Sequence, residues 1–417
     1  MTWPETFQGG YLGDGRPATA TDRPESIEAL RQMVTDRVSQ GLAIYPQGGG
    51  TALDYGGTPR QPGVAIDTRS LCRVVDYPAA DMTVTVEAGI TLAALRDVLA
   101  TENQRLLIEA PEPEKTTIGA IFATNTSGPR RFGAGRPRDQ ILGVGFVTSD
   151  GALVRGGGRV VKNVAGYDFP RLLTGSLGTL GIIVEVTLKV RPKPEASAIV
   201  CIAFKSADRL GLALDALNTS TTRPIAVEVL NPSASRFLGV DLGLPAERWV
   251  LLVGFEDNAA SVTWQVEQLR CDFNDHDLTV HEGTNAEPIW SALTGIQASA
   301  IGPVMFMANV RPSTVSRFAG MLSPERWAIQ SHAGNGIVRA HLIETMELEP
   351  LAVEIDRYRL VAVKDGGNLV LPHCPTAWKT RLRVWGEPRP DWSVSEKIKH
   401  AFDPIAMMNP GRFVGKI

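Results

Sequence analysis

A run of three consecutive glycines, in the segment Pro46-Gln-Gly-Gly-Gly-Thr51, constrains the fold of this chain most. Glycine has no Cβ, so its backbone can adopt positive φ and another group can approach its N–H groups closely. Apolar residues recur every three or four positions from Ile27 to Val38, and a short apolar strand at 42–45 leads into the glycines. The order helix, strand and glycine loop predicts either a plain tight turn or a loop that binds an anion.

The two common nucleotide-binding motifs do not fit this loop. The dinucleotide motif G-x-G-x-x-G requires glycine at position 53, where this chain has Leu53. The phosphate-binding motif G-x-x-x-x-G-K-[ST] does not occur in the chain. Both the Rossmann and the P-loop interpretations are therefore excluded.

Two further stretches combine glycine with small side chains. Residues Thr116 to Gly128 mix small residues with hydroxyl groups and one amide, and Gly175 to Ile183 places three glycines at a three-residue spacing before a strand. Small side chains let a flat ring or a pyrophosphate approach the backbone, while hydroxyl and amide groups offer hydrogen bonds. A polar loop between helices is the alternative for either stretch alone.

Composition and length narrow the class of protein. A chain of 417 residues exceeds what one hydrophobic core usually supports, which predicts two or three domains. The net charge of -3, without long runs of one sign, indicates no nucleic-acid partner. We expect a cytoplasmic protein without direct membrane insertion, since the start lacks the pattern of a signal peptide and no window has about 18 consecutive apolar residues.

The segment after Arg191-Pro-Lys-Pro194 predicts a second domain with a different architecture. Its periodicities give the order strand, helix, strand, strand, helix, strand at 198–281, and the same order again at 304–372. This is the split βαβ arrangement of ferredoxin-like units. Two such units side by side predict one antiparallel sheet with helices on a single face, and therefore an α+β fold.

Five ordered motifs resemble the FAD-binding proteins of the vanillyl-alcohol-oxidase, or PCMH, type. They are the loop 46–51, the segment 117–128, Lys162-Asn-Val-Ala-Gly-Tyr-Asp168, the segment 175–183 and the terminal Asn409-Pro-Gly411. Within that family, Gly-Pro-Arg-Arg at 128–131 and the run 158–168 look most like the E-type subunits of glycolate oxidase. The resemblance implies a two-lobed FAD-binding domain at 1–195, in which residues 1–23 are expected to form a surface arm because they are rich in Gly, Pro and Thr and have no apolar period. It further implies an α+β cap or substrate domain at 196–400 and a tail at 401–417 that returns to the flavin side.

The resemblance also implies which residues hold FAD. The backbone of Gln47 to Thr51 is expected to cradle the pyrophosphate, the isoalloxazine is expected near Thr117 to Gly128, and Ile182 and Ile183 are expected at the adenine half. A β-branched residue at Gly49 is expected to abolish FAD binding by filling the space of the pyrophosphate. The full set of expected FAD-binding residues is Pro46, Gln47, Gly48, Gly49, Gly50, Thr51, Thr117, Ile118, Gly119, Thr124, Asn125, Ser127, Gly128, Gly178, Gly181, Ile182, Ile183 and Asn409.

We expect FAD to be bound without a covalent link. Some family members attach FAD through a histidine near the first motifs, but all six histidines of this chain lie after residue 275. Cys72 is the only cysteine of the predicted FAD-binding domain and lies near neither flavin loop.

A degenerate metal motif lies in the second domain, at His332-Ala-Gly-Asn-Gly-Ile-Val-Arg339. It resembles the run H-x-G-D-G-N-x-H that supplies two metal-binding histidines in related 2-hydroxy-acid dehydrogenases. Arg339 stands where the second histidine would be, and a guanidinium cannot replace an imidazole as a metal ligand. We therefore expect no metal, and a hydrogen-bonded turn histidine is the plain interpretation of His332.

Arg131, Arg339 and His332 remain weak candidates for catalytic residues, with structural ion pairs as the alternative for the arginines. The resemblance implies a redox subunit that oxidises a small 2-hydroxy acid to the 2-oxo acid. Its expected partners are a sister flavoprotein subunit and an iron-sulfur subunit, and it would meet a membrane only through a partner. The alternatives are a self-sufficient FAD-dependent dehydrogenase of the D-lactate type, or an assembly subunit whose FAD is structural.

Overall fold

A computed structural model describes residues 10–158, 166–239, 242–298 and 301–417. The chain divides into two compact units. Unit 1 comprises Met1–Ser127, Arg136–Pro192 and Glu387–Ile417, and unit 2 comprises Gly128–Gly135 and Lys193–Gly386. The segment at 387–400, which the sequence predicted in the second domain, thus clusters with unit 1.

The helices and strands of the described residues are numbered in chain order. The helices are α1 Ile27–Ser39, α2 Leu92–Ala100, α3 Ile118–Thr124, α4 Arg131–Ala134, α5 Pro137–Gln140, α6 Phe169–Leu173, α7 Ala207–Thr219, α8 Pro232–Gly239, α9 Ala259–Asp272, α10 Glu287–Gly295, α11 Val315–Gly320, α12 Leu348–Lys364, α13 Lys379–Leu382 and α14 Trp392–Phe402. The strands are β1 Tyr11–Gly13, β2 Arg16–Pro17, β3 Thr21–Asp22, β4 Ala43–Gln47, β5 Gly63–Asp67, β6 Val74–Asp76, β7 Thr83–Glu87, β8 Gln104–Arg105, β9 Ile141–Val147, β10 Leu153–Gly157, β11 Ile182–Lys189, β12 Arg191–Pro192, β13 Ala196–Phe204, β14 Ala226–Leu230, β15 Trp249–Asp257, β16 Leu278–Glu282, β17 Met305–Asn309, β18 Trp327–His332, β19 Ile337–Leu342 and β20 Asn368–His373. Within this described part of the chain, none of the helices has both the length and the apolar character that crossing a membrane requires.

Unit 1 is built on two main sheets. One is parallel, with strand order β3-β5-β4, and the other is antiparallel, with order β10-β9-β11-β7-β6. Helix α1 begins after Ser26, whose side chain accepts a hydrogen bond from the Ala29 N–H at 3.1 Å, and it buries Leu30 and Val34. Strand β4 then delivers the chain into the glycine loop, in the predicted order.

The described part of the N-terminal arm is not a surface arm. Leu12 is only 2% exposed and packs with Ala43 and Tyr45 of strand β4. Asp14 is also buried, and its carboxylate accepts a hydrogen bond from Arg412. Part of the segment 10–23 is therefore anchored in the core of unit 1. The polar, glycine-rich composition concealed this, because Leu12, Ala18 and Ala20 are the few apolar contacts of the arm.

Unit 2 contains one eight-stranded antiparallel sheet, with order β16-β13-β15-β14-β18-β19-β17-β20. The first four strands have the order of a ferredoxin-like unit, and the last four repeat that order in reverse. The two halves meet where β14 pairs with β18. The predicted α+β fold with an antiparallel C-terminal sheet is therefore confirmed.

The prediction that helices cover only one face of this sheet is wrong. Helices α7, α9, α11 and α12 pack on one face, but α8 and α10 pack on the other. Strand β13 shows why, because Ile202 points into the first core while Cys201 points into the second. Strands buried on both faces have continuous apolar runs instead of alternation, and the runs of β13 and β15 were therefore the sequence signal for the second layer.

Candidate functional site

The glycine-rich segments of unit 1 line one cleft. Strand β4, helix α3, the loop before β11 and the C-terminal tail each contribute to its wall. Of the residues expected to bind FAD, the cleft is lined by Pro46, Gln47, Gly48, Gly50, Thr51, Thr117, Gly119, Thr124, Gly178, Gly181, Ile182, Ile183 and Asn409.

The loop after β4 contributes Gly48, Gly50, Thr51 and Ala52 to the lining of this cleft. In the described part of the chain, the N–H groups of residues 48–52 donate to no protein acceptor. Gly50 has φ of +78°, which favours glycine. At Gly48, a Cβ would lie 2.1 Å from the Thr117 Oγ1, so only glycine permits this approach. A turn with unpaired N–H groups and no side chains is suited to a phosphate anion.

Five of the expected residues lie outside the cleft lining. Ile118 is fully buried in the core of unit 1, and Asn125 has φ of +56° at the end of helix α3. A polar loop was the alternative interpretation of the segment 116–128, but Thr117 caps a helix there by accepting from the Ala120 N–H. Because a helix turns its residues to different sides, Ile118 faces the core while Ala120 and Ala123 face the cleft. Another two, Ser127 and Gly128, follow α3 and do not line the cleft either.

Gly49 is the fifth, and its role differs from the expected one. A Cβ at Gly49 would lie 1.7 Å from the backbone oxygen of Lys115, so the side chain would collide with the neighbouring loop. Gly49 is absent from the cleft lining. The expectation that its substitution fills the pyrophosphate space is therefore wrong, since the obstacle is protein backbone.

Several lining residues were not predicted from the sequence. Tyr45 lies in β4, with its hydroxyl donating to the Gln61 oxygen at 2.7 Å, and burial raises its pKa to about 12. Arg412 lies in the tail, just after the Asn409-Pro-Gly411 motif, which was the signal that could have found it. The unpredicted lining residues are Leu12, Tyr45, Ala52, Leu53, Tyr55, Thr68, Ala120, Ala123, Leu177 and Arg412.

A buried polar cluster lies on one face of the sheet in unit 2. Glu228 and His332 are paired across β14 and β18, and Gln330 and Arg339 are paired across β18 and β19. The His332 Nδ1 lies 2.5 Å from the Glu228 Oε1, and the other carboxylate oxygen accepts from the Gln330 Nε2 at 2.8 Å. The guanidinium of Arg339 contacts the His332 Nε2. The side chains of Glu228 and His332 are each 1% exposed.

The imidazole in this cluster is neutral. Burial lowers the pKa of His332 well below its usual value, and the charges of Arg339 and Arg131 lower it further. A neutral imidazole has one N–H and one acceptor nitrogen. The contacts assign the N–H to Nδ1, which donates to Glu228, and the acceptor to Nε2, which faces the guanidinium. The three weak catalytic candidates Arg131, His332 and Arg339 thus lie in one cluster.

This arrangement does not fit a divalent metal. Both ring nitrogens of His332 are already engaged, so no lone pair is left for an ion. Arg339 carries a permanent positive charge at the nitrogen where a metal would bind. Among the described residues, no group of three or more histidine, cysteine, aspartate or glutamate side chains is placed to hold a metal. That the protein carries no metal stays a prediction, which this geometry supports.

The guanidinium of Arg130, in contrast, makes two contacts that hold it in place. Its guanidinium pairs with the Glu256 carboxylate at 2.7 Å and lies 3.9 Å from the ring centroid of Trp290. The Trp290 indole in turn donates to the Ser197 hydroxyl. A salt bridge and a cation–π contact hold this arginine in place, which favours the structural interpretation for Arg130.

A glycine-lined cleft in one unit and a doubled ferredoxin-like sheet in the other are the architecture that the resemblance to FAD-linked oxidoreductases implies. Comparison with known families agrees. Residues 18–157 match the FAD binding domain family, and residues 193–341 match the C-terminal domain of FAD linked oxidases. The chain belongs to this family of FAD-linked oxidases with a PCMH-type FAD-binding domain, and its cofactor is FAD.

The chain is similar to several individual members of the family. It is 25% identical to glycolate oxidase subunit GlcD of Bacillus subtilis, with 94% of this chain and 88% of that protein covered. It is 25% identical to D-lactate dehydrogenase of Archaeoglobus fulgidus, with 95% and 91% covered. It is 36% identical to glycolate oxidase subunit GlcE of Escherichia coli, with 41% and 48% covered. An alkyldihydroxyacetonephosphate synthase structure shares the fold, with a TM-score of 0.67 at 16% identity, over 98% of this chain and 80% of that one.

The cleft in unit 1 fits FAD by the chemistry of its lining. The unpaired N–H groups of residues 48–52 suit the pyrophosphate, and Ile182 and Ile183 offer an apolar wall. No histidine or cysteine occurs among the described residues that line the cleft. This supports the prediction of non-covalent binding. The expected motif at 162–168 falls largely on residues 159–165, which lie outside the described residues.

Proposed function

We propose that this chain is the FAD-binding subunit of a glycolate-oxidising complex that converts a small 2-hydroxy acid to the 2-oxo acid. The observation that carries the proposal is the contact between the Arg339 guanidinium and the His332 Nε2. The guanidinium of Arg339 occupies the position at the His332 ring where a metal ion would bind. A chain built this way keeps a cationic group for a carboxylate but lacks a Lewis acid for the hydroxyl. This favours a subunit over an independent dehydrogenase.

The residues of unit 2 supply binding and orientation in this proposal. The Glu228 carboxylate holds the His332 ring, and the ring nitrogen holds the Arg339 guanidinium. A guanidinium held in one orientation binds a carboxylate in bidentate fashion at a lower cost in side-chain entropy. FAD, when bound, supplies the two-electron acceptor.

Partner subunits follow from the same proposal. The relatives GlcD and GlcE are named as subunits of glycolate oxidase. All four cysteines of this chain are free thiols at positions far apart in the sequence. Iron-sulfur clusters require grouped cysteine ligands. We therefore propose that a sister flavoprotein subunit completes the substrate chemistry and that an iron-sulfur subunit takes the electrons.

The experiment compares the isolated chain with the chain co-purified with its native partners. We expect the visible flavin absorbance of the isolated chain to stay unchanged when glycolate or D-lactate is added without oxygen, and to bleach in the complex. In the complex, Arg339→Gln should lower kcat/KM about tenfold to a hundredfold, which corresponds to the loss of a charged hydrogen bond of roughly 1.5–3 kcal/mol. The matched control is Arg317→Gln, since Arg317 is exposed on α11.

Each other outcome supports a different function. Bleaching by the isolated chain would establish the self-sufficient dehydrogenase. If the flavin of this chain does not bleach even in an active complex, the chain is an assembly subunit with structural FAD. Equal effects of the substitutions at Arg339 and Arg317 would remove Arg339 from substrate binding.

A further inference from the structure

A buried lysine in helix α14 connects two walls of the FAD cleft. Lys399 is 6% exposed, and its ammonium makes three hydrogen bonds. It donates to the Asp403 carboxylate at 2.5 Å, to the Thr179 oxygen at 2.7 Å and to the Met408 oxygen at 2.7 Å. An ammonium has three N–H donors, so every donor of this buried charge is used.

Two of these acceptors are backbone groups beside residues that line the cleft. Thr179 lies between Gly178 and Gly181, and Met408 directly precedes Asn409. The segments of Thr179 and Met408 are far apart in the sequence. Lys399 lies 220 residues after Thr179 and 9 residues before Met408. One side chain therefore fixes the distance between the loop before β11 and the C-terminal tail.

Asp403 and Asn409 extend this connection. Asp403 accepts from the N–H groups of Met407 at 3.0 Å and Met408 at 2.7 Å, which shapes the turn after α14. The Asn409 N–H donates to the Ile44 oxygen at 2.7 Å, and its side-chain amide donates to the Leu177 oxygen at 2.5 Å. The tail is thus tied both to strand β4, which leads into the glycine loop, and to the loop that Lys399 holds.

The chemistry of Lys399 indicates positioning rather than general stability. Burial lowers its pKa, while Asp403 opposes that shift, so the ion pair compensates for lost hydration. Apolar residues of similar size often stabilise an interior as well as a buried ion pair does. What they cannot do is bond two backbone oxygens at once.

We propose that Lys399 is a positioning residue for FAD. Lys399 sets the width of the cleft between Gly178 and Asn409. FAD binding therefore depends on Lys399, although Lys399 itself does not line the cleft. The inference rests on FAD as the cofactor and is independent of the substrate and of any partner subunit.

The test uses the full chain freed of FAD and measures FAD affinity by quenching of flavin fluorescence. Lys399→Met should raise the FAD Kd at least about tenfold, which is roughly 1.4 kcal/mol. Lys397→Met is the matched control, because Lys397 is exposed in the same helix, and it should leave the Kd unchanged. A Kd within about twofold of the wild-type value in folded Lys399→Met protein would overturn the proposal.

A double variant separates positioning from charge compensation. In Lys399→Met/Asp403→Asn, no charge is left unpaired and the side-chain oxygen at position 403 can still accept from the turn after α14, so thermal stability should recover while FAD affinity stays low. Recovery of both would show that Lys399 only balances Asp403 and would overturn the proposal.

The wild-type protein provides a measurement that needs no variant. FAD binding should slow hydrogen exchange at the Met408 and Asn409 amides, which belong to the segment that Lys399 holds. Unchanged exchange there on saturation with FAD would also contradict the inference.

Discussion

At the residue scale, glycine is required at positions 48, 49 and 50 for three different physical reasons. Gly48 and Gly50 line the cleft, whereas Gly49 lies against the backbone of Lys115. A side chain at Gly48 would meet the Thr117 hydroxyl, and one at Gly50 would be strained by positive φ. Three neighbouring glycines thus serve side-chain clearance, loop packing and backbone conformation.

Gly49→Ala should therefore weaken the protein before FAD is considered. A Cβ only 1.7 Å from the Lys115 oxygen forces the two loops apart, and overpacking of this kind costs about 1–3 kcal/mol. We expect a lower melting temperature of the FAD-free protein together with a weaker FAD affinity. Gly295→Ala is the control, since a Cβ at Gly295 would meet no atom within 4 Å apart from its chain neighbours and the backbone of its own helix. An unchanged melting temperature of the FAD-free variant would mean that only ligand space is affected.

Arg339 decides, at the same scale, whether unit 2 can hold a metal. Positions 332 and 339 lie diagonally on neighbouring strands and on one face of the sheet, with Glu228 opposite His332. Diagonal neighbours on antiparallel strands are within reach of long side chains. A second imidazole at position 339 would therefore bring two histidines together, with Glu228 orienting His332 through its Nδ1, as carboxylates do for metal-binding histidines.

Arg339→His should convert the cluster into a metal site. We expect about one zinc ion per chain in this variant after dialysis, by elemental analysis, and no stoichiometric zinc, manganese or iron in the wild-type protein. Arg339→Gln removes the charge without adding a ligand and should stay free of metal. About one metal per wild-type chain would contradict the proposed role of Arg339, and a folded Arg339→His variant without zinc would refute the ligand geometry.

At the element scale, the joint between the two ferredoxin-like halves depends on one buried amide. Asn231 is fully buried where β14 ends and α8 begins. Its side chain donates to the Trp327 oxygen at 2.7 Å and accepts from the N–H groups of Ile329 and Ala234, each at 2.9 Å. It therefore joins β14 to β18 and also starts the helix that covers the second face of the sheet.

Asn231→Ala should destabilise unit 2 strongly. Two buried N–H groups and one carbonyl lose their partner, and each unsatisfied group costs about 1–3 kcal/mol, so we expect a loss of at least roughly 3 kcal/mol in the free energy of unfolding. Urea unfolding measures it, with Asn218→Ala at an exposed position of α7 as the control. A loss below about 1 kcal/mol would show that water replaces the lost bonds at this joint.

At the scale of the whole molecule, the binding mode of the flavin follows from where the histidines are. All six histidines lie after residue 275, and the described lining of the cleft contains neither histidine nor cysteine. The purified protein should therefore be yellow and release its flavin on acid precipitation. Absorbance of the supernatant and of the pellet measures this. Flavin retained in the washed pellet would establish a covalent link, and acid-treated free FAD mixed with the FAD-free protein is the control for adsorption.

Local patterns in the sequence predicted most of the elements, because hydrophobic period and glycine content act over a few residues. The helical period from Ile27 to Val38 occurs as α1, the apolar strand predicted at 42–45 occurs as β4, and both ferredoxin-like halves appear in the predicted order. Helices α8, α10 and α14 were not predicted, because their apolar periods are short and interrupted by polar residues. The sequence by itself therefore determined the class of fold, and its resemblance to the PCMH-type family indicated the cofactor.

Only the tertiary structure decided which predicted residues share a site. His332 and Glu228 are 104 residues apart, and only the pairing of β14 with β18 reveals that the carboxylate holds the imidazole. Lys399 looks like an ordinary helix lysine in the sequence. In the structure it is buried and donates to the backbone oxygens of Thr179 and Met408, beside residues that line the cleft. Within the glycine run, only the packing against Lys115 separates Gly49 from its neighbours. Such roles depend on distances between segments far apart in the chain, and no local period encodes those distances.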